Sequence, residues 1–216
     1  MSRARLKICG VAHIDDLAAC AAAGVDAIGL NFWTGSKRHV DRATARALVD
    51  AWPGGIERIG VFVDDDPGEV AARARALALD WIQPHGARPI ADYLALGLPT
   101  IWVIRGAPDL EALELPTPTP GRILLAAAVP GFGGAGVRTD WAWARRAVTR
   151  LSSVAPVWLA GGITPENAAE ALAAVDPAGL DVASGAELPG DPRARKDPTR
   201  IAALVDICNN RGADDR

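Results

Sequence analysis

Cys9 closes a short apolar run near the start of the chain, Lys7-Ile8-Cys9-Gly10. A cysteine there is either a base or nucleophile acting as its thiolate, or simply a small buried hydrophobe. Arg38, in Gly35-Ser36-Lys37-Arg38-His39, carries a planar fork of donors that matches a carboxylate, although a loop arginine is often only solvated. Two glycine turns lie far along the chain, Ala160-Gly161-Gly162-Ile163-Thr164-Pro165 and Ala183-Ser184-Gly185-Ala186-Glu187. Backbone without side chains can approach an anion closely, and the start of a following helix adds unpaired N–H groups. Either turn alone is explained as a tight bend. The pair, with the Ser184 hydroxyl, suggests a phosphate cradle.

These residues must be positioned by something, and the pattern of the chain says what. Short β-rich apolar runs recur at residues 6–9, 27–32, 58–63, 81–83, 100–104, 123–127, 157–160 and 180–184. Between them, residues 15–23, 42–51, 67–77, 89–96, 141–151, 165–173 and 198–207 have helical spacing, with Asp, Thr or Pro near their starts. Only the connection between the fifth and sixth strands lacks a marked helix. Residues 109–115 supply at most a short turn there, before the prolines at 116, 118 and 120 stop it. Alternating strands and helices imply parallel pairing with right-handed crossovers, and continuously apolar strands imply burial on both faces. Eight such units predict an α/β fold of the (β/α)8 TIM-barrel kind. The rival open sheet of the dinucleotide binders would carry GxGxxG after its first strand, where this chain has Gly10-Val11-Ala12-His13. In a barrel the strand ends carry the chemistry, and phosphate commonly sits after strands seven and eight, which is where the two glycine turns fall.

Composition narrows the ligand. The 216 residues are expected to form one domain, 1–208, followed by a polar and disordered tail, 209–216. A net charge of −3 recommends neither nucleic acid nor an anionic membrane as partner, so a small molecule is expected. The basic start is followed by too short an apolar run for a leader or a span, which predicts a cytoplasmic protein. Three widely spaced cysteines and three histidines support neither a disulfide framework nor a metal site. Seven tryptophans should mostly pack between helices and strands, Trp33 being the one placed to stack on an aromatic ligand.

Several segments occur together in a telling order. They are Lys7-Ile8-Cys9-Gly10, Ser36-Lys37-Arg38, Gly60-Val61-Phe62-Val63, Gln83-Pro84-His85-Gly86, Gly133-Gly134-Ala135-Gly136 with Asp140-Trp141, Ala160-Gly161-Gly162, Pro165-Glu166-Asn167, Asp181-Val182-Ala183-Ser184-Gly185 and Lys196-Asp197-Pro198. In this combination the chain resembles the phosphoribosylanthranilate isomerases of tryptophan biosynthesis. The resemblance implies a cofactor-free Amadori rearrangement in a (β/α)8 barrel, working as a monomer or homodimer. It implies that Cys9 is the general base at C2 of the opened sugar, with Lys7 a possible influence on its thiol. Arg38 and Asp181 would bind substrate, Arg38 through the anthranilate carboxylate. Gly161, Gly162, Ser184 and Gly185 would hold the phosphate.

The sequence also departs from that pattern. Where the family ends its sixth strand Leu-Leu-Asp, with the aspartate as general acid, this chain reads Leu124-Leu125-Ala126. Pro84 replaces a leucine, Ala135 a threonine or serine, and Ala183 a serine. Asp140 and His13 are weak candidates for a substitute acid, since Asp140 is better read as a helix cap and His13 as a solvated loop residue. The expected activity is therefore phosphoribosylanthranilate isomerisation with reduced turnover. The alternatives are an isomerase of another aminated sugar phosphate and a non-catalytic barrel binding a phosphorylated ligand. The two-aspartate isomerase of histidine biosynthesis fits less well, because the first and sixth strands here offer Cys9 and Ala126.

Overall fold

A computed structural model describes residues 3–128 and 136–211. Ala135 and the rest of residues 129–135 lie outside the described residues, as do 212–216. Eight strands alternate with helices: β1 Arg5–Cys9, α1 Ile14–Ala23, β2 Ala27–Asn31, α2 Arg42–Asp50, β3 Glu57–Val63, α3 Pro67–Ala76, β4 Trp81–His85, α4 Ile90–Leu94, β5 Ile101–Arg105, β6 Arg122–Ala126, α5 Trp141–Leu151, β7 Val157–Ala160, α6 Ala168–Val175, β8 Gly179–Val182 and α7 Pro198–Asn209. A 3-10 turn, Ser184–Ala186, follows β8. The parallel sheet runs β4-β3-β2-β1-β8-β7-β6-β5.

The ring closes between β4 and β5 through a single parallel bridge, Ile82 with Thr100, in which the Ile82 N–H donates to the Pro99 carbonyl at 2.9 Å. Two residues further on, the same side of the strand carries Pro84, which has no N–H to give. Proline is tolerated at this seam because the ladder stops there, and β4 still runs on to His85, two residues beyond the expected end.

Aspartates 41, 66, 140 and 197 cap α2, α3, α5 and α7 by accepting backbone N–H groups. Each satisfies donors a helix start leaves orphaned. Pro67 and Pro198 occupy first-turn positions where a missing N–H costs nothing. The expected fourth helix shrinks to Ile90–Leu94, and α6 starts at Ala168 rather than Pro165 because residues 164–167 form a turn first. No helix is assigned between β5 and β6. The expected tail begins within structure: Asn209 ends α7, and the Arg211 guanidinium is bonded to Asp176 and the Pro177 carbonyl.

Side chains two apart along a strand point to the same side, so each strand sends alternate residues into the barrel. Ala27, Ile59, Ile101, Leu124 and Trp158 pack there, partly covered by Trp81, Val103 and Ala160. At the N-terminal end of the strands Arg122 is sandwiched between the Trp81 and Trp158 rings, 4.4 and 4.2 Å from their centroids. Its guanidinium meets Glu57 through both terminal nitrogens, and Arg5 bonds the same carboxylate at 3.1 Å. This plug leaves the opposite end as the open one, and the strand alternation brings Cys9, His85, Ala126 and Asp181 to it. Among the described residues no helix is long and apolar enough to cross a membrane.

Candidate active site

A cavity at the C-terminal ends of the strands is lined by Cys9, Arg38, His85, Ala126, Asp181 and Ser184, with Gly161 and Gly162 at its side. Residues drawn from β1, β4, β6, β7 and β8 and the loop after β2 thus meet around one space, as a barrel permits.

The floor is ionic. Lys7 points inward from β1 and is only 1% exposed. Its ammonium donates to Asp181 Oδ2 at 2.8 Å and Gln83 Oε1 at 3.0 Å, and the Cys9 side chain lies beside it. Burial works against the Lys7 charge, yet Asp181 and Cys9 beside it outweigh that and hold its pKa above the usual lysine value. The cluster fits because β2 carries glycine opposite: a Cβ on Gly29 would lie 2.9 Å from the Cys9 sulfur and 3.0 Å from Lys7 Cε. Asp181 Oδ1 is buried with no partner among the described residues. A carboxylate oxygen left so is costly unless something donates to it.

Arg38 is not the solvated loop arginine that its position allowed; it is 6% exposed. Its Nε donates to Glu187 Oε1 at 2.5 Å, and the same carboxylate takes Lys196 at 3.1 Å and Lys37 at 3.2 Å. Burial disfavours the Glu187 charge, but Arg38 and Lys196 more than compensate and keep its pKa below the usual glutamate value. Lys196, almost wholly buried, is pulled below the usual lysine value by that burial despite Glu187. Gly10 makes room for this arrangement. Its φ is +73°, and a Cβ there would sit 2.3 Å from Arg38 Cδ, so the glycine after Cys9 lets Arg38 lie across the end of β1.

The glycine turns after β7 and β8 lock together. Gly161 and Gly162 have φ of +97° and +64°, and a Cβ on Gly162 would press on the Arg138 backbone at 2.8 Å. Asn167 braces the first turn, accepting from the Thr164 N–H at 2.9 Å and donating to the Gly162 carbonyl at 2.8 Å. Gly185 touches the back of that turn so closely that a Cβ would fall 1.9 Å from the Ile163 carbonyl oxygen. Gly161, Gly162 and Ser184 face the cavity shared with Cys9, while Gly185 borders an adjoining groove together with Ser184.

Ala126 ends β6 on the same cavity, in register with Arg105 on β5. His85 accepts from Gln83 across 3.0 Å if its proton sits on Nδ1, and that Nδ1 is buried without a partner. Burial, then Lys7 and Arg105, push its pKa down to about 3. Asp140 caps α5 through the Trp143 N–H at 2.9 Å, and His13 sits half exposed before α1, so neither reaches the cavity. The Trp33 ring lies over Gly35, where a Cβ would be 2.4 Å from it, and does not line the cavity. Gln83, His85, Glu187 and Lys196 were not singled out as site residues by type, although Gln83, His85 and Lys196 stand inside segments that carry the family resemblance and Glu187 ends the second glycine turn.

Residues 6–207 match the family profile described as N-(5'phosphoribosyl)anthranilate (PRA) isomerase. The N-(5'-phosphoribosyl)anthranilate isomerase of Thiobacillus denitrificans is 39% identical over 204 residues, covering 93% of this chain and 96% of that one. The crystal structure of phosphoribosyl anthranilate isomerase from Thermotoga maritima superposes with a TM-score of 0.82 at 28% identity, covering 96% of this chain and 99% of that one. A further solved isomerase, in complex with reduced 1-(o-carboxyphenylamino)-1-deoxyribulose 5-phosphate, gives a TM-score of 0.79 at 26% identity over 96% of this chain and 99% of its own.

Proposed function

The chain belongs to the N-(5'-phosphoribosyl)anthranilate isomerase family, and we propose on that premise that its cavity carries out the family's Amadori rearrangement with the acid half of the site missing. The protein is an isomerase converting N-(5-phosphoribosyl)anthranilate to 1-(2-carboxyphenylamino)-1-deoxyribulose 5-phosphate. The observation that carries the reading is the convergence of Cys9, Arg38 and the paired glycine turns on one cavity whose remaining wall ends in Ala126.

In this reading Cys9 takes the C2 proton, with Lys7 beside it to stabilise the thiolate. Arg38, held by Glu187, meets the substrate carboxylate. Asp181 Oδ1 accepts a sugar hydroxyl, which would satisfy its orphaned lone pairs. The backbone of Gly161, Gly162 and Gly185 and the Ser184 hydroxyl receive the phosphate. Without a positioned acid the rate falls by about 10² to 10⁴. Such a site favours aminated sugar phosphates that open easily, which keeps a related substrate as the second reading.

The three thiols are free, in accord with a reducing compartment, and we assign the enzyme to the cytoplasm as a monomer or homodimer. The test is steady-state loss of anthranilate fluorescence from freshly generated phosphoribosylanthranilate, with the product identified by mass. Slow conversion to the deoxyribulose phosphate is expected; an enzyme that leaves the substrate at its spontaneous rate would refute the reading.

A further inference from the structure

The missing aspartate leaves the ring-opening proton without a source, and the cavity narrows where it can come from. Among the described residues its ionisable lining consists of Cys9, Arg38, His85 and Asp181. Arg38 does not release a proton. Asp181 is already engaged as the ion-pair partner of the Lys7 ammonium at 2.8 Å. His85, pushed down to about 3, is a neutral ring at working pH. The segment after β6, Ala127-Ala128-Val129-Pro130-Gly131-Phe132-Gly133-Gly134-Ala135, has no ionisable side chain in its sequence. Cys9 is the group that remains.

In a furanosylamine the ring oxygen and C2 are both bonded to C1, so a sulfur lodged against C1 can reach either. We propose, building on the isomerase reading above, that Cys9 performs both proton transfers, first as a thiol acid and then as a thiolate base. In the first step the bond between C1 and the ring oxygen breaks. Its electron pair goes to the oxygen, which takes the Cys9 proton, while the nitrogen lone pair forms the C1=N bond of the iminium ion. In the second step the Cys9 thiolate removes the C2 proton. The C–H pair becomes the C1=C2 bond, and the iminium pair returns to nitrogen. The enaminol then ketonises, losing its C2 hydroxyl proton to water and gaining one at C1. Cys9 ends as it began, a thiol, and no proton is gained or lost overall.

The surroundings of the sulfur suit this cycle. The thiolate exists only between the two transfers, and Lys7, anchored by Asp181 and Gln83, is in place to stabilise it there. The charged and titratable groups around Cys9 are Lys7 on its own strand, Asp181 on β8, His85 on β4, Arg38 from the loop after β2, and Lys196 with Glu187 beyond it. No other carboxylate lines the cavity among the described residues.

The pH dependence of kcat/KM separates the possibilities, measured above about pH 6.5, where a phosphate ester is largely dianionic. A resting thiol gives a plateau at the low end and a tenfold fall per pH unit once Cys9 ionises, independent of buffer concentration. Ala126→Asp supplies a separate acid and serves as the control for turnover, since its carboxyl must hold a proton while Cys9 is a thiolate and its profile is again flat between the two ionisations. A wild-type rate that rises with pH, or one that climbs with buffer concentration, would overturn the shuttle and leave the isomerase assignment intact. Absence of turnover in both proteins would overturn the two together.

Discussion

Replacing Glu187 with glutamine keeps the shape of the side chain and removes its charge, which isolates what that charge does. Glu187 faces three cations: Arg38 at 2.5 Å, Lys196 at 3.1 Å and Lys37 at 3.2 Å. Lys37 is about half exposed, so its share is small. Arg38 and Lys196 are 6% and 2% exposed, and the variant leaves both charges buried against a neutral amide. Breaking a buried pair in this way costs about 3 to 5 kcal/mol. The retained amide oxygen argues for the lower end, about 3 kcal/mol. In a chain of this size each kcal/mol shifts Tm by about 2 to 4 °C, so a fall of about 6 to 12 °C is expected at pH 7. The sign with pH follows from the depressed pKa of Glu187. Its contribution is complete above the unfolded glutamate value of about 4.3 and is lost as pH falls through the lower folded value. Thermal unfolding of both proteins from pH 7 down to acid should therefore show curves that converge at the acid end. A Tm difference under about 2 °C at pH 7, or one that persists unchanged in acid, would refute the ionic account.

Gly10→Ala should raise KM at least tenfold, because its Cβ would drive into Arg38 Cδ at 2.3 Å; the positive φ adds about 1 to 2 kcal/mol of strain, and substrate titration with thermal melting reads the two effects. Burial pushes the Cys20 and Cys208 thiols up to about 12, so iodoacetamide at mild pH should label one thiol per folded chain, Cys9, and three after unfolding, as counted by mass. Activity should fall in step with that single label. Arg122→Leu removes two ring contacts and a bidentate pair at the closed end of the barrel, which should cost about 2 to 4 kcal/mol in denaturant melts while leaving kcat of the folded fraction unchanged.

The alternation of strands and helices was legible because burial on both faces writes continuous apolar runs, and because aspartate caps and first-turn prolines punctuate the helices. Element ends were less so. The fourth strand was expected to end at residue 83, yet β4 passes through Pro84 to His85, since the missing N–H faces the seam with β5. Helix α6 starts late because Asn167 ties Thr164 and Gly162 into a turn, a side-chain bond that propensity does not encode. At the site, glycine spacing after strands seven and eight marked the two turns that pack together beside the cavity, and Cys9 and Arg38 were visible as types. The network holding Arg38 was not, because Arg38 and Glu187 stand 149 residues apart and meet only when the ring closes. Burial of Lys7 was likewise hidden, since a lysine in a strand says nothing of whether an aspartate on β8 lies in register with it.

The most direct test compares turnover of phosphoribosylanthranilate by the wild type, Cys9→Ser and Ala126→Asp under the same conditions. A site with its base intact and its acid absent predicts that Cys9→Ser abolishes the slow wild-type reaction and that Ala126→Asp accelerates it by about 10² to 10⁴, or about 3 to 5 kcal/mol of barrier. A Cys9→Ser protein as active as the wild type, or an Ala126→Asp protein that folds, binds substrate and gains nothing, would contradict it.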